Sequence, residues 1–402
     1  MRILLLNQCF YPDVVATAQM GWDLARSLRD CGHEVTAVSS RAIYGTKGGR
    51  LPRSECVDGV SIWRVGLSLF GKSSLLARMI DFGLFYVLAL IRVLALPRQD
   101  VIVCFTTPPM VSLVGVMLKL LRGTRVICWS MDLYPEVLAA GKLLGSNTFL
   151  YRLLLRFDTW VMQSCDRVVC LGRCMRQRMV DRGVDPERVE VVHVWGQDEV
   201  SAQDATSDTS LRSEWELRNR FVVMYAGNLG LGHEVATIER AIRESADDPS
   251  IQWVFVGGGK GRESLQSRLA DTSIQNVQFH PYQSVERLPE LLQTANAHLA
   301  SMLPGWQGLI VPSKCIGVMA VGRPLIWIGP PDSECARVIE ESGCGAAVDP
   351  GNWRSLLDKV VSWKQDPAVA AQMGKAGATA ARGPLSRSRA CARWIQIIES
   401  LS

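Results

Sequence analysis

The sequence predicts an α/β protein of two domains, each a parallel sheet covered by helices on both faces, meeting across a cleft. Three observations predict it. The chain has 402 residues, enough for two domains with sizeable cores at roughly 100–200 residues each. Short apolar strand segments alternate with helical spacings, and the order βαβαβ occurs twice, which argues for parallel sheets. Between the two runs lies Ser201–Ser210, a small polar segment that reads as a linker.

In order, Arg2–Asn7 is a short buried strand. Thr17–Cys31 has helical spacing through Trp22, Leu24 and Leu28 and stops at Gly32. Glu34–Ser39 and Asp100–Phe105 are strands, and Met110–Leu121 is an apolar helix between Pro108-Pro109 and Gly123. Arg125–Trp129, Arg167–Leu171 and Val189–Val194 continue the strands. After the linker come strand Phe221–Tyr225, helix Glu234–Arg243, strand Gln252–Val256, helix Gly261–Leu269 and strand Val277–His280. Helix Leu288–Gln293, strand His298–Ser301, helix Lys314–Val321 and strand Leu325–Ile328 complete the series. The expected organisation is an N-terminal domain over 1–199, a linker over 200–220 and a C-terminal domain over 221–385. A last helix over 386–402 is expected to pack back on the first domain.

Hydrophobic residues make up 48% and charged residues 21%, which excludes a disordered or fibrous chain. The net charge of +5 is uneven: residues 1–200 carry +6 and residues 201–402 carry −1. Such asymmetry suits an anionic membrane surface or a polyanion, and equally an ordinary solvated surface. None of the 12 cysteines forms CxxC, and none of the five histidines (His33, His193, His233, His280, His298) has metal-ligand spacing, so no metal is expected. Cys104, Cys128 and Cys170 sit in apolar runs and read as buried thiols of a reduced, cytosolic protein. Ile3–Leu6 is too short for a signal-peptide core, and Phe82–Pro97, interrupted by Arg92, falls short of the ~20 apolar residues that span a bilayer.

Three stretches of the second half carry chemistry. Gly227-Asn228-Leu229-Gly230 follows a strand, and its small residues let another group approach the backbone. Val256-Gly257-Gly258-Gly259-Lys260 runs from a strand into a helix, where successive N–H groups can cradle an anion; a simple turn remains the alternative. It lacks the GxGxxG spacing of a dinucleotide site. In the third, Leu309-Ile310-Val311-Pro312-Ser313-Lys314, Pro312 is expected in the first helical turn. The helix N-terminus, the Ser313 hydroxyl and the Lys314 charge there suit phosphate.

With these segments the chain resembles glycosyltransferase family 4, of the GT-B fold with two Rossmann-like domains, in its bacterial polysaccharide and O-antigen branch. The resemblance rests on Gln8–Asp13, Gly32–Val35, Thr106–Pro109 and Asp132–Glu136 in the first half. In the second half it rests on Tyr225–Gly230, Gly257–Gly259 and Leu309–Lys314, all in the family's order. It implies transfer of a hexosyl or N-acetylhexosaminyl unit from a nucleotide diphosphate sugar, with retention and without metal or cofactor.

The resemblance implies that the C-terminal domain holds the donor. The implied contacts are Gly227, Asn228, His233, Gly257, Gly258, Lys260, Tyr282, and Leu309 to Lys314. Tyr282 lies where the family's base-binding backbone passes. Three departures stand out. The family's glutamate pair aligns with Leu309 and Gly317, and its diphosphate-gripping Arg and Lys align with Asn228 and His233. Its histidine after the Trp129 strand is missing, which leaves Asp132 as the nearest ionisable group. Asp132 can steer or deprotonate the acceptor hydroxyl, or be an Asx cap before Leu133. His233 supplies charge if protonated, or is a neutral surface residue. Tyr11, Asp13 and Glu136 are acceptor candidates, and Asp13 and Glu136 read equally as loop carboxylates.

Residues 65–98 mix bulky apolar residues with four basic residues and one acid, Asp81. Leu67–Met79 reads either as a docking segment for an anionic leaflet or as a core helix with basic flanks. The leading expectation is therefore a peripheral enzyme at the inner face of the cell membrane, acting on a glycan or lipid-linked acceptor. Two alternatives stay open: a nucleotide-sugar epimerase of the same fold, and a degenerate transferase serving as a partner subunit.

Overall fold

The computed structural model describes residues 1–43, 50–66, 75–196, 209–270 and 274–401. Leu67–Ser74 of the docking segment and positions 200–208 of the linker lie outside the described residues. The chain divides into two compact units, Met1–His193 with Ser388–Ser402, and Val194–Arg387.

The first unit contains β1 (Arg2–Leu6), α1 (Ala16–Asp30), β2 (Glu34–Ser40), β3 (Ser54–Val57), β4 (Val60–Val65), α2 (Leu75–Ala95) and β5 (Val101–Cys104). It continues with α3 (Ser112–Arg122), β6 (Arg125–Ser130), α4 (Glu136–Ala140), α5 (Phe149–Ser164), β7 (Arg167–Cys170), α6 (Arg173–Asp181) and β8 (Val189–Val191). The sheet order among described residues is β3-β4-β2-β1-β5-β6-β7-β8. Every pairing is parallel except β3 with β4. That hairpin turns at Asp58-Gly59, both at positive φ. Asp-Gly between alternating segments is a hairpin signal that the strand–helix reading passed over.

Side-chain alternation sets the two faces of this sheet. The Cys104 sulfur points at Gly115 of α3, so close that a Cβ at Gly115 would stand 2.8 Å from it. Phe105, one residue on, points the other way, 3.1 Å from a Cβ placed on Gly21 of α1. Phe105 packs on Trp129, and Trp129 on Trp394 at 4.4 Å between ring centroids. Trp394 belongs to the last helix, α15 (Arg387–Glu399), which therefore shares α1's face. Cys104, Cys128 and Cys170 are buried, as their apolar runs suggested.

The second unit contains α7 (Ser210–Glu214), β9 (Phe221–Ala226), α8 (Ala236–Glu244), β10 (Ile251–Val256), α9 (Lys260–Arg268), β11 (Val277–His280) and α10 (Leu288–Thr294). Next come β12 (Ala297–Ser301), α11 (Lys314–Ala320), β13 (Leu325–Ile328), α12 (Glu334–Ser342), β14 (Gly345–Val348), α13 (Trp353–Gln365) and α14 (Pro367–Arg382). The sheet is parallel, in the order β11-β10-β9-β12-β13-β14. Val223, Tyr225, Trp253 and Phe255 point into one core with Ile238 of α8 and Val360 of α13. Val222, Met224, Val254 and Val256 point into the other, with Leu211 of α7 and Leu291 of α10. Strands buried on both faces explain the near-continuous apolar runs seen in sequence. Among the described residues no helix is long and apolar enough to cross a membrane.

Candidate active site

The carboxyl ends of β9 and β10 carry two glycine turns that interlock. The Gly227 N–H donates to Val256 O at 2.8 Å, Leu229 N to Gly258 O at 2.8 Å, and Gly261 N to Leu229 O at 2.9 Å. The approach is too close for side chains. A Cβ on Gly257 would stand 2.3 Å from Gly227 O, and one on Gly259 would stand 2.5 Å from Leu229 O. Gly227, Gly257 and Gly259 all have φ between 109° and 126°, the region that glycine alone adopts freely. Both turns are thus fixed by sequence, the first by Gly227 and the second by the Gly257–Gly259 run. The exposed Tyr282 ring lies beside Gly257 and Gly258, within 3.2 Å of where their Cβ atoms would be. Lys260 is exposed at the first position of α9.

Lys314, at the first position of α11, reaches back to these turns. Its ammonium donates to the Tyr225 hydroxyl and lies 3.3 Å from the Asn228 carbonyl oxygen. The same nitrogen would be 3.9 Å from a Cβ on Gly227. No carboxylate forms an ion pair with it among the described residues, and loss of water pushes its pKa down to about 7. Tyr225 was read from sequence only as part of a motif. Its hydroxyl, at the end of a buried strand and two residues before Gly227, is what holds the lysine in place. The sequence signal for this was a polar tip on an otherwise apolar strand.

His233 is half-buried rather than a surface residue. Its Nδ1 lies 2.8 Å from the Ser301 carbonyl, to which it donates, and 3.1 Å from the Tyr225 hydroxyl. Desolvation, and then the neighbouring Lys314 charge, lower its pKa to about 4, so it is neutral at pH 7 and supplies no charge. Pro312 stands outside the helix rather than in its first turn: Ser313 is the N-cap and α11 begins at Lys314. The Ser313 side chain makes no capping bond. Leu309 is buried, while Ile310, Val311 and Pro312 are half-buried beside it. Gly317, at the family's second glutamate position, has room for a side chain: its Cβ would meet only Leu292, at 3.8 Å.

In the first unit, Asp132 follows β6 and is half-buried, and burial raises its pKa to about 6. Its own N–H and that of Met131 donate to the Thr106 hydroxyl, at 3.4 and 3.1 Å. Its carboxylate makes no capping bond among the described residues. Glu136 is not a loop carboxylate: it opens α4 and is gripped by Arg182, whose Nε lies 2.6 Å away. Arg182 also donates to Asp158 at 2.9 Å and to the Tyr134 carbonyl at 3.3 Å. Asp13 is buried, and the Tyr11 ring lies tilted against Trp22 at 4.5 Å between ring centroids. The structure thus brings Gly227, Asn228, His233, Gly257, Gly258, Tyr282 and Lys314 together in the second unit.

Comparison with known proteins names the fold and the chemistry. The profile described as "Glycosyl transferase 4-like domain" matches residues 17–195, and "Glycosyl transferases group 1" matches residues 208–380. The chain belongs to glycosyltransferase family 4.

This transferase is 25% identical over 374 residues to the putative colanic acid biosynthesis glycosyl transferase WcaI of Escherichia coli K12, covering 89% of this chain and 90% of WcaI. It is 24% identical to the probable glycosyltransferase WbjE of Pseudomonas aeruginosa, over 65% of this chain and 66% of WbjE. Solved structures share its GT-B fold over the whole chain. Sucrose-phosphate synthase of Thermosynechococcus elongatus superposes with TM-score 0.79 at 16% identity, covering 100% of this chain and 99% of that one. HepE of Anabaena, solved with UDP-glucose, gives 0.72 at 14% identity, covering both chains fully.

Proposed function

We propose that this glycosyltransferase moves a hexosyl or N-acetylhexosaminyl unit from a nucleotide diphosphate sugar to a glycan or lipid-linked acceptor in bacterial polysaccharide assembly. The acceptor is presented at the cytosolic face of an anionic membrane, and the transfer proceeds with retention and without metal. The observation that carries the reading is Lys314. It is a partly desolvated ammonium with no carboxylate ion pair among the described residues, held by Tyr225 against the two glycine turns. HepE and WcaI support the donor class and the pathway by likeness.

The chemistry follows from charge. A diphosphate beside Lys314 favours its protonated form, so donor binding draws a proton onto the amine. As the bond from the anomeric carbon to the diphosphate oxygen breaks, its electron pair stays on the leaving diphosphate. The ammonium then acts on a larger negative charge than in the ground state, which lowers the barrier. A bond forms from the acceptor hydroxyl oxygen to the anomeric carbon, and the hydroxyl proton leaves. Asp132, mostly ionised at neutral pH given a pKa of about 6, is the group assigned to steer that hydroxyl or take its proton. Tyr11, Asp13 and Glu136 are assigned to the acceptor's surroundings, with Glu136 acting through its ion pair with Arg182.

The test is a panel of UDP-, GDP- and dTDP-sugars, read by binding and by turnover with and without an acceptor extract. Acceptor-dependent turnover of one donor is the expected result. Absence of binding and turnover across the panel overturns the donor assignment, and turnover without acceptor points to an epimerase.

A further inference from the structure

The second unit holds three cysteines, Cys315, Cys335 and Cys344, and they gather around α11. Cys315 is the second residue of α11, directly after Lys314, and Cys335 is the second residue of α12. The Cys315 thiol donates to the Cys335 sulfur at 3.7 Å. Cys344 lies close by: a Cβ on Gly377 of α14 would stand 3.0 Å from Cys344 Cβ and 3.4 Å from Met319 Cα of α11. Cys315 and Cys335 are 3% and 5% exposed.

The pair adjoins the candidate donor site. Burial lowers the Lys314 pKa, and the groups that act against it are Cys315 and Cys335. Burial, and then Cys315, hold the Tyr225 hydroxyl protonated. The two sulfurs therefore sit beside the hydrogen bonds that fix Lys314. The first unit offers a contrast. Cys104 and Cys128 also face each other, but on β5 and β6 of the sheet, where burial pushes Cys128 up to about 12 and keeps it a thiol. Cys315 and Cys335 are carried by two short helices of seven and nine residues. Packed helices shift by sliding more readily than paired strands part.

We infer that Cys315 and Cys335 form a peroxide-sensitive dithiol that switches the donor site off by displacing Lys314, on the reading that Lys314 belongs to that site. Sulfurs buried to this degree admit a small oxidant such as hydrogen peroxide and exclude a bulky disulfide. One sulfur, as thiolate, attacks a peroxide oxygen; the O–O bond breaks, hydroxide leaves and the sulfur becomes a sulfenic acid. The other thiolate attacks that sulfur; the S–S bond forms, the S–O bond breaks and a second hydroxide leaves. The two thiol protons turn both hydroxides into water. Two thiols and one peroxide thus give one disulfide and two waters, with two electrons passing from sulfur to oxygen. Closing the pair to a bond of about 2.05 Å pulls Cys315 towards α12. Lys314, its neighbour in the chain, is drawn off Tyr225 and Asn228. Misplacing a positioning group by about 1 Å can cost about 10²-fold in rate. A dithiol reductant reverses the step by thiol–disulfide exchange.

The experiment treats the full chain with hydrogen peroxide, removes the oxidant, and reads cross-linked peptides by mass and turnover of the UDP-, GDP- and dTDP-sugar panel. A Cys315–Cys335 cross-link is expected. Turnover should fall as the cross-linked fraction rises, to about 10²-fold lower when complete, and return with dithiothreitol. Cys335→Ala should keep the turnover of untreated wild type and lose both the cross-link and the peroxide sensitivity. Cys315→Ala should lose the same two properties, so either variant serves if the other fails to fold. Cys344→Ala should retain both. Absence of the Cys315–Cys335 peptide after peroxide overturns the inference, as does complete cross-linking with unchanged turnover. Equal loss of turnover in Cys335→Ala also overturns it, because another group is then the target. The cross-link is read by mass whatever the chain transfers. A reduced chain that turns over no donor overturns the proposed function and the switch with it, and this is distinguishable from a dithiol that fails to cross-link.

Discussion

Two enclosed cations, one in each unit, are held in opposite ways. Arg182 in the first unit meets Glu136, Asp158 and the Tyr134 carbonyl. Lys314 in the second meets a hydroxyl and a carbonyl, and no carboxylate among the described residues. Burying a charge is costly unless it is paired. Arg182 is paired on all sides and has nothing left to offer a ligand. Lys314 carries its desolvation cost in the free protein, and an arriving anion relieves it. The difference separates a cation that holds the fold from the one proposed to receive the donor diphosphate, and that role needs no net positive charge on a half of the chain that carries −1.

The comparison breaks first at Arg182. Arg182→Met leaves Asp158 and Glu136 without their cation, and should cost about 3–5 kcal/mol in urea unfolding. Asp158 already has its pKa raised to about 7, mainly by burial and against the pull of Arg182. A loss below 1 kcal/mol would mean that the network is dispensable, and the contrast would fall.

Lys314→Met should do the reverse to stability. It should lower turnover by about 10²–10³-fold, the cost of removing one charge-stabilising donor. The folded pKa of about 7 lies below the ordinary 10.5, so between those values the unfolded chain binds the proton more tightly. The penalty on the wild type is therefore complete below pH 7 and is relieved as pH rises towards 10.5. The methionine variant should melt higher than wild type at pH 7, with the advantage fading in alkali. A lower melting point at pH 7 would show that the lysine is a structural contact.

Asp132→Asn sharpens the same point in the first unit, with a smaller expected effect of about 10²-fold on turnover. The folded pKa of about 6 exceeds the ordinary 3.8, so the aspartate's contribution to stability is present at acid pH and lost as pH rises through 6. The asparagine variant should gain stability over wild type above pH 6 and match it below pH 4. Wild-type turnover should fall as pH drops through 6. A pH-independent rate would remove Asp132 from the chemistry.

Much of the fold was legible because parallel strands buried on both faces leave apolar runs that nothing else in the chain imitates. Val277–His280 and Leu325–Ile328 match the observed strands residue for residue. The β3–β4 hairpin was passed over because its strands are half-exposed and alternate, although Asp58-Gly59 marks its turn. The two glycine turns were readable since close backbone approach demands glycine. The partner of Lys314 was not: Tyr225 lies 89 residues away, and no local pattern joins them. Nor was the state of His233, which depends on burial and on the lysine beside it. Helix α5 went unread because its apolar residues do not resolve into one inward stripe.

The central claim is that Lys314 receives the donor diphosphate. The most direct measurement is calorimetric titration with UDP and with GDP near pH 8, in two buffers of different ionisation enthalpy. The account predicts that wild type binds one of them and takes up most of a proton, and that Lys314→Met binds more weakly with no uptake. Equal affinity and equal proton uptake in the two proteins would contradict it.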